Sequence, residues 1–201
     1  MPVFSPTIFA RYPLISGIVS MLIALVALFS VYQWLNYNID ERDNLGRTAL
    51  FRAVEERDVA AVEQLIKNGA QVDLDDSCGW SPFIKAASLG DIEILRTLHQ
   101  AGANIEHKDE SGYTALMIAV VSKKPAAVHY LLSHDAEVNH QDTLGWTALI
   151  WAAKQNEIDS ARRLLKHGAD PHQSDNEERT AIQWAALERH KQILTLLQSQ
   201  T

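Results

Sequence analysis

Residues 145–172 read GWTALIWAAKQNEIDSARRLLKHGADPH, and this stretch decides the fold. The same unit recurs upstream and downstream at a fixed interval. Asp43, Asp76, Asp109, Asp142 and Asp175 stand 33 residues apart. Three residues after the first four comes a glycine (Gly46, Gly79, Gly112, Gly145), then Thr48, Ser81, Thr114, Thr147 and Thr180. Leu50, Phe83, Leu116, Leu149 and Ile182 follow, with Ala53, Ala86, Ala119, Ala152 and Ala185 behind them. A fixed period of this length marks a chain built by stacking one small unit.

Each slot has a physical task. The aspartate and the Thr/Ser suit a turn that bonds its own backbone and caps the helix after it. The glycine permits positive φ in that turn. Apolar residues then recur at three- and four-residue spacing, the pattern of a helix with one buried stripe. TALFRAVEERD reads as a first helix, VAAVEQLIKNG as a second, and AQVDLDDSCGW as the extended link onward. Gly69, Gly102 and Gly168 suit left-handed helix ends, and Asp135 takes that place in the third unit.

On these residues the chain resembles the ankyrin-repeat family. Residues 145–172 match its G-x-T-P/A-L-x-x-A-A…LL-x-x-G-A-D pattern almost throughout. The resemblance implies a mainly α solenoid of stacked helix pairs with β-turn or hairpin links. It covers 43–201, in units 43–75, 76–108, 109–141, 142–174 and a partial, capping 175–201. Two departures stand out. The family's histidine after T-P-L is replaced by Phe51, Ile84, Met117, Ile150 and Gln183. Glu178 also stands where the last turn glycine belongs.

The first forty residues differ in kind. Leu14–Leu35, LISGIVSMLIALVALFSVYQWL, is almost continuously apolar, and no charged residue falls between Tyr12 and Ile39. Twenty-two helical residues span roughly 33 Å, enough for a hydrocarbon core of about 30 Å. Tyr12 on one flank and Tyr32, Trp34 and Tyr37 on the other suit the interfacial belts. The expectation is a short tail (1–12), a single transmembrane helix (13–35) acting as signal anchor, and a linker (36–42). A cleavable signal peptide is the alternative, although no A-x-A pattern follows the apolar core. A short tail before an uncleaved apolar segment favours export of the repeats, to the periplasm if the host is bacterial. Counting basic residues alone favours the cytoplasm instead. Ser16, Ser20 and Ala24 form a small-residue face that suits weak self-association.

Charge narrows the partner class. The chain carries 18 basic and 25 acidic residues, a net −7, and only Arg11 among the basic ones precedes residue 40. Nucleic acid would be repelled by such a domain. No phosphate loop, nucleophile elbow or H-E-x-x-H appears, so no enzyme, cofactor or metal is expected. His107 and His140 occupy equivalent places, as do His134 and His167, and exposed solvated histidines account for both pairs. One cysteine, Cys78, excludes an intramolecular disulfide.

The expected function is protein binding at the membrane, holding or inhibiting a partner. The resemblance implies a concave face of turn tips and first helices. The slot after the turn glycine reads Arg47, Trp80, Tyr113, Trp146, Arg179, residue types enriched in interface hot spots. Leu45 and Leu144 at the tips, with Leu89, Val121 and Leu187 on the first helices, extend that patch. The rings could instead lie against neighbouring turns and shield the scaffold. Trp151 and Trp184 are expected to pack between helix layers. A self-associating membrane scaffold is the alternative function.

Overall fold

The computed structural model of the 201-residue chain describes Val19, residues 21–28 and residues 38–199. The chain divides after Asn38. In the first part, Val19 and residues 21–28 are helical, with exposed apolar side chains that include Leu22, Ile23, Val26 and Leu28. Among the described residues no helix is long and apolar enough to cross a membrane. Residues 13–18, 20 and 29–35 of the expected anchor lie outside the described residues, and so do Ser16 and Ser20 of the small-residue face. Ala24 is helical and exposed.

From Ile39 onward the chain is a series of helix pairs. The first-position helices are α1 (Ala49–Glu55), α3 (Pro82–Leu89), α5 (Ala115–Val121), α7 (Ala148–Gln155) and α9 (Ala181–Leu187). Their partners are α2 (Val59–Lys67), α4 (Ile92–Gln100), α6 (Pro125–Leu132), α8 (Ile158–Lys166) and α10 (Lys191–Gln198). The fifth unit, expected to be partial, carries both helices. Each first helix packs on the next first helix and on its own partner. One core runs through the stack, from Leu50 and Val62 through Leu116 and Leu131 to Ile193 and Leu197. A single pair could not bury its apolar stripe alone, so neighbours supply the cover.

The helix starts follow from local chemistry. Thr48, Ser81, Thr114, Thr147 and Thr180 each accept a hydrogen bond from the backbone N–H three residues on. At Thr180 the cap is reciprocal, because the Gln183 side chain accepts from the Thr180 N–H. Second helices end at Gly69, Gly102, Asp135 and Gly168, all at positive φ. The links are turns, with isolated antiparallel bridges at Lys108–Thr114 and Ser174–Thr180.

The residues expected to form a free linker are docked from Ile39 onward. Ile39 packs against the core, and Asp40 accepts from the Gln71 N–H at 3.0 Å. Asp40 is the first rung of a ladder. Asp73 accepts from Asn104 N–H, Glu106 from Glu137 N–H and Asn139 from Asp170 N–H, each at 2.9 Å. The four acceptors share the 33-residue register, so the repeat's hydrogen bonding begins before Asp43.

Candidate functional site

The recurring aspartate builds the turn that presents the candidate face. In all five units its Oδ1 accepts from the backbone N–H groups two and four residues on, at 2.9–3.0 Å. Its own N–H donates to the carbonyl four residues on. Successive tips are then tied together, Ser77 N–H to Leu45 O at 2.9 Å, Thr143 N–H to Ser111 O at 3.0 Å and Asn176 N–H to Leu144 O at 3.1 Å. The slot after the glycine is thereby held beside the first helix of its own unit and the turn of the next.

That slot is half-buried in four units and buried in one. Arg47 and Arg179 are half-buried, as are Trp80 and Tyr113. Trp146 is only 7% exposed. The expectation of exposed tips therefore fails at Trp146, and the reason is its neighbours. Its ring centroid lies 4.5 Å from that of Trp151 and 4.7 Å from that of Trp184. Trp151 and Trp184 come from α7 and α9, and Tyr113 joins them at 5.7 Å from Trp151. Trp184 is buried, as expected, whereas Trp151 is half-buried. The four rings form one cluster shared by three repeats.

The second oxygen of three of the turn aspartates anchors an indole. Trp80 Nε1 donates to Asp109 Oδ2 at 3.2 Å, Trp151 Nε1 to Asp142 Oδ2 at 3.2 Å and Trp184 Nε1 to Asp175 Oδ2 at 2.7 Å. The Asp175 carboxyl is partly desolvated, which raises its pKa. Bonds from Arg179 N–H, the Trp184 indole and Glu177 N–H outweigh that and leave it below the ordinary value. Burial, reinforced by Asp142 and Asp109, pushes the Tyr113 hydroxyl up to about 12.

Cations cover the aromatic cluster. Lys154 Nζ lies 4.4 Å from the Trp146 ring centre and 4.6 Å from that of Trp184, and the Arg179 guanidinium carbon lies 5.0 Å from Trp184. Ring faces carry negative charge and hold such cations. Lys154 was missed in the sequence, yet it sits twelve residues after Asp142, in register with Glu55 after Asp43. At the other end the same face is ionic. Glu55 bridges Arg47 at 2.8 Å and Lys85 at 2.7 Å. The hydrogen bond from Lys85, followed by the charges of Lys85 and Arg47, lowers the Glu55 pKa despite some desolvation.

The apolar extensions of the patch divide. Leu45 and Leu144 at the tips are 51% and 55% exposed and Leu187 is 61% exposed, whereas Leu89 and Val121 are half-buried. The paired histidines have structural partners. His107 and His140 each bond the carbonyl of a turn glycine, Gly79 and Gly112, at 3.0 Å. His134 and His167 bond the carbonyls four residues back, at 2.7 and 2.8 Å. Among the described residues no three His, Cys, Asp or Glu side chains converge as a metal group would need.

A family model described as ankyrin repeats (3 copies) matches residues 50–142 and again 116–201. The chain belongs to the ankyrin-repeat family. Membership supports a protein–protein interaction module. Among curated proteins none matches the chain.

Proposed function

We propose that this ankyrin-repeat protein is a membrane-tethered binding module that holds or inhibits a protein partner on the face made by its turns and first helices. The observation that carries the reading is the shared Trp/Tyr cluster under Lys154 and Arg179, rimmed by the exposed Leu144 and Leu187. Aromatic side chains and arginine on a rigid frame are the groups that dominate interface energies. Trp146 belongs to the floor of this face, and Trp151, Lys154, Tyr113 and Arg179 are its accessible part. Arg47 and Trp80 continue it toward the first repeat, and Leu45, Leu89 and Val121 line its margins.

The tether is part of the proposal. It is supported by the apolar run Leu14–Leu35 and by the exposed apolar side chains of Met21–Leu28. The favoured orientation exports the repeats. Residues 39–42 of the expected linker are docked on the repeats.

The test is proximity capture by the full chain in native membranes, wild type against Lys154→Glu and Trp151→Ala. A partner enriched by the wild type and lost from both variants, each still folded by circular dichroism at the temperature of the assay, is the expected result. The same capture profile from all three proteins would overturn the reading. Reporter fusions at the C-terminus, one active only inside the cytoplasm and one only outside, test the orientation.

A further inference from the structure

We infer that the partner is acidic: the face takes a protein segment in which carboxylates alternate with apolar side chains, one carboxylate pairing with Lys154. This rests on the binding role proposed above. Three rows build the face, at four, nine and twelve residues after each turn aspartate. Their fifteen positions hold Arg47, Arg52, Lys85, Lys154 and Arg179 against the single acidic Glu55. The remainder of the chain must be strongly acidic, because its net charge is −7. Basic residues are therefore concentrated in the three rows that also carry the rings, next to the acidic row of turn aspartates. The five turn aspartates beside these rows stay ionised, and charge is engaged locally at Asp43 with Arg47, and at Asp109, Asp142 and Asp175 through indole N–H groups.

Two of these cations, Lys154 and Arg52, form no ion pair among the described residues, although Arg47, Lys85 and Arg179 do. Lys154 is held over two indole faces and so is already ordered. An ordered, partly desolvated ammonium gains more from a carboxylate than a mobile surface lysine does. The adjacent Trp151 and the exposed Leu187 and Leu144 supply apolar contact beside it. A carboxylate flanked by apolar residues fits this arrangement. Complementary charge also speeds encounter and rejects basic partners.

The test uses the full 201-residue chain in detergent micelles and three fluorescein-labelled dodecapeptides, alternating Leu and Phe with Glu, with Gln or with Lys. Fluorescence anisotropy should show the Glu peptide binding at least tenfold tighter than the Gln peptide, with the preference shrinking as salt rises. Lys154→Gln and Arg52→Glu should each erode that preference, and Arg52 is exposed, so its variant leaves the core intact. Equal binding of Glu and Gln peptides, tighter binding of the Lys peptide, or no binding at all overturns the inference. So does tighter binding of a single-stranded oligothymidylate, or dimerisation of the wild type that Lys154→Gln abolishes. A partner still captured in membranes and lost from Lys154→Glu would then preserve the binding role while the acidic specificity falls.

Discussion

Trp184 donates its indole N–H to Asp175 at 2.7 Å, so the carboxylate that closes the last turn also positions a ring of the candidate face. Asp142 does the same for Trp151 at 3.2 Å. One residue type therefore serves turn, capping geometry and face together, and damage at the aspartate row reaches both stability and binding.

Trp184→Phe tests that coupling through pH. Asp175 has a folded pKa below its ordinary value of 3.8, with the indole as one of the lowering partners. A depressed folded pKa contributes stability that is fully present above the unfolded pKa and lost as pH falls through the folded one. Removing the indole N–H raises the folded pKa, so the variant should melt lower than the wild type at pH 7. The gap should narrow as pH falls from the ordinary carboxylate value through the depressed folded pKa, below which both proteins carry a protonated Asp175. Melting curves at successive pH values check it. A gap independent of pH would mean that only ring packing was lost.

Trp146→Ala should unfold the face without isolating its chemistry. The ring is buried among Trp151, Trp184 and Lys154, and truncating a buried Trp costs about 3–5 kcal/mol. For a domain of this size the melting temperature should fall by roughly 10 °C. Leu144→Ala, two residues earlier and mostly exposed, should stay within about 0.5 kcal/mol of the wild type. Thermal denaturation by circular dichroism compares the two. A triple alanine variant of Trp80, Tyr113 and Trp146 is therefore a stability experiment first.

The period, the caps, the turn and the helix pairs were legible because each depends on residues close together in sequence. Thr147 caps α7 through a bond to Ile150 N–H, three residues away. The burial of Trp146 was not legible, because it is decided by Trp184, thirty-eight positions on, and by the slot nine residues after each aspartate. That slot changes from Arg52 and Lys85 to Trp151 and Trp184 along the chain. The same turn position is consequently half-buried in the unit of Arg52 and buried at Trp146, which lies between Trp151 and Trp184. The Asp40 ladder escaped notice for a different reason. Asp, Asp, Glu and Asn share an acceptor oxygen but not an identity, so a repeat sought by letter hides one kept by chemistry.

Ser160→Ala should stabilise the fold. Ser160 is fully buried in the first turn of α8, and its hydroxyl has no hydrogen-bond partner. The equivalent positions in the other units are Ala61, Ile94, Ala127 and Ile193, all apolar. An unsatisfied buried hydroxyl costs about 1–3 kcal/mol, and alanine is the better helix former. A gain of about 1 kcal/mol is expected, raising the melting temperature by roughly 2–4 °C. An unchanged or lowered midpoint would show that the hydroxyl is satisfied, for instance by a buried water.

Three substitutions at left-handed positions should rank by what a Cβ meets. At Gly145, φ is +77° and a Cβ would lie 2.6 Å from Asn176 Oδ1 and 2.8 Å from Asn176 N. Gly145→Ala therefore combines backbone strain with a clash against the next turn, and should cost about 2 kcal/mol or more. Gly69 has φ of +91° but open space around its Cβ position, so Gly69→Ala should cost only the strain, about 1 kcal/mol. Glu178 already occupies the equivalent turn position at φ +61°, and no further turn stacks on it among the described residues. Its turn still closes, with Glu178 N–H donating to Asp175 O at 3.0 Å. Glu178→Gly should relieve the strain and raise stability by about 0.5 kcal/mol, part of the relief being offset by glycine's greater freedom when unfolded. Chemical denaturation of the three variants gives the order directly. If Gly145→Ala costs no more than Gly69→Ala, the close stacking of turns is not what demands glycine there.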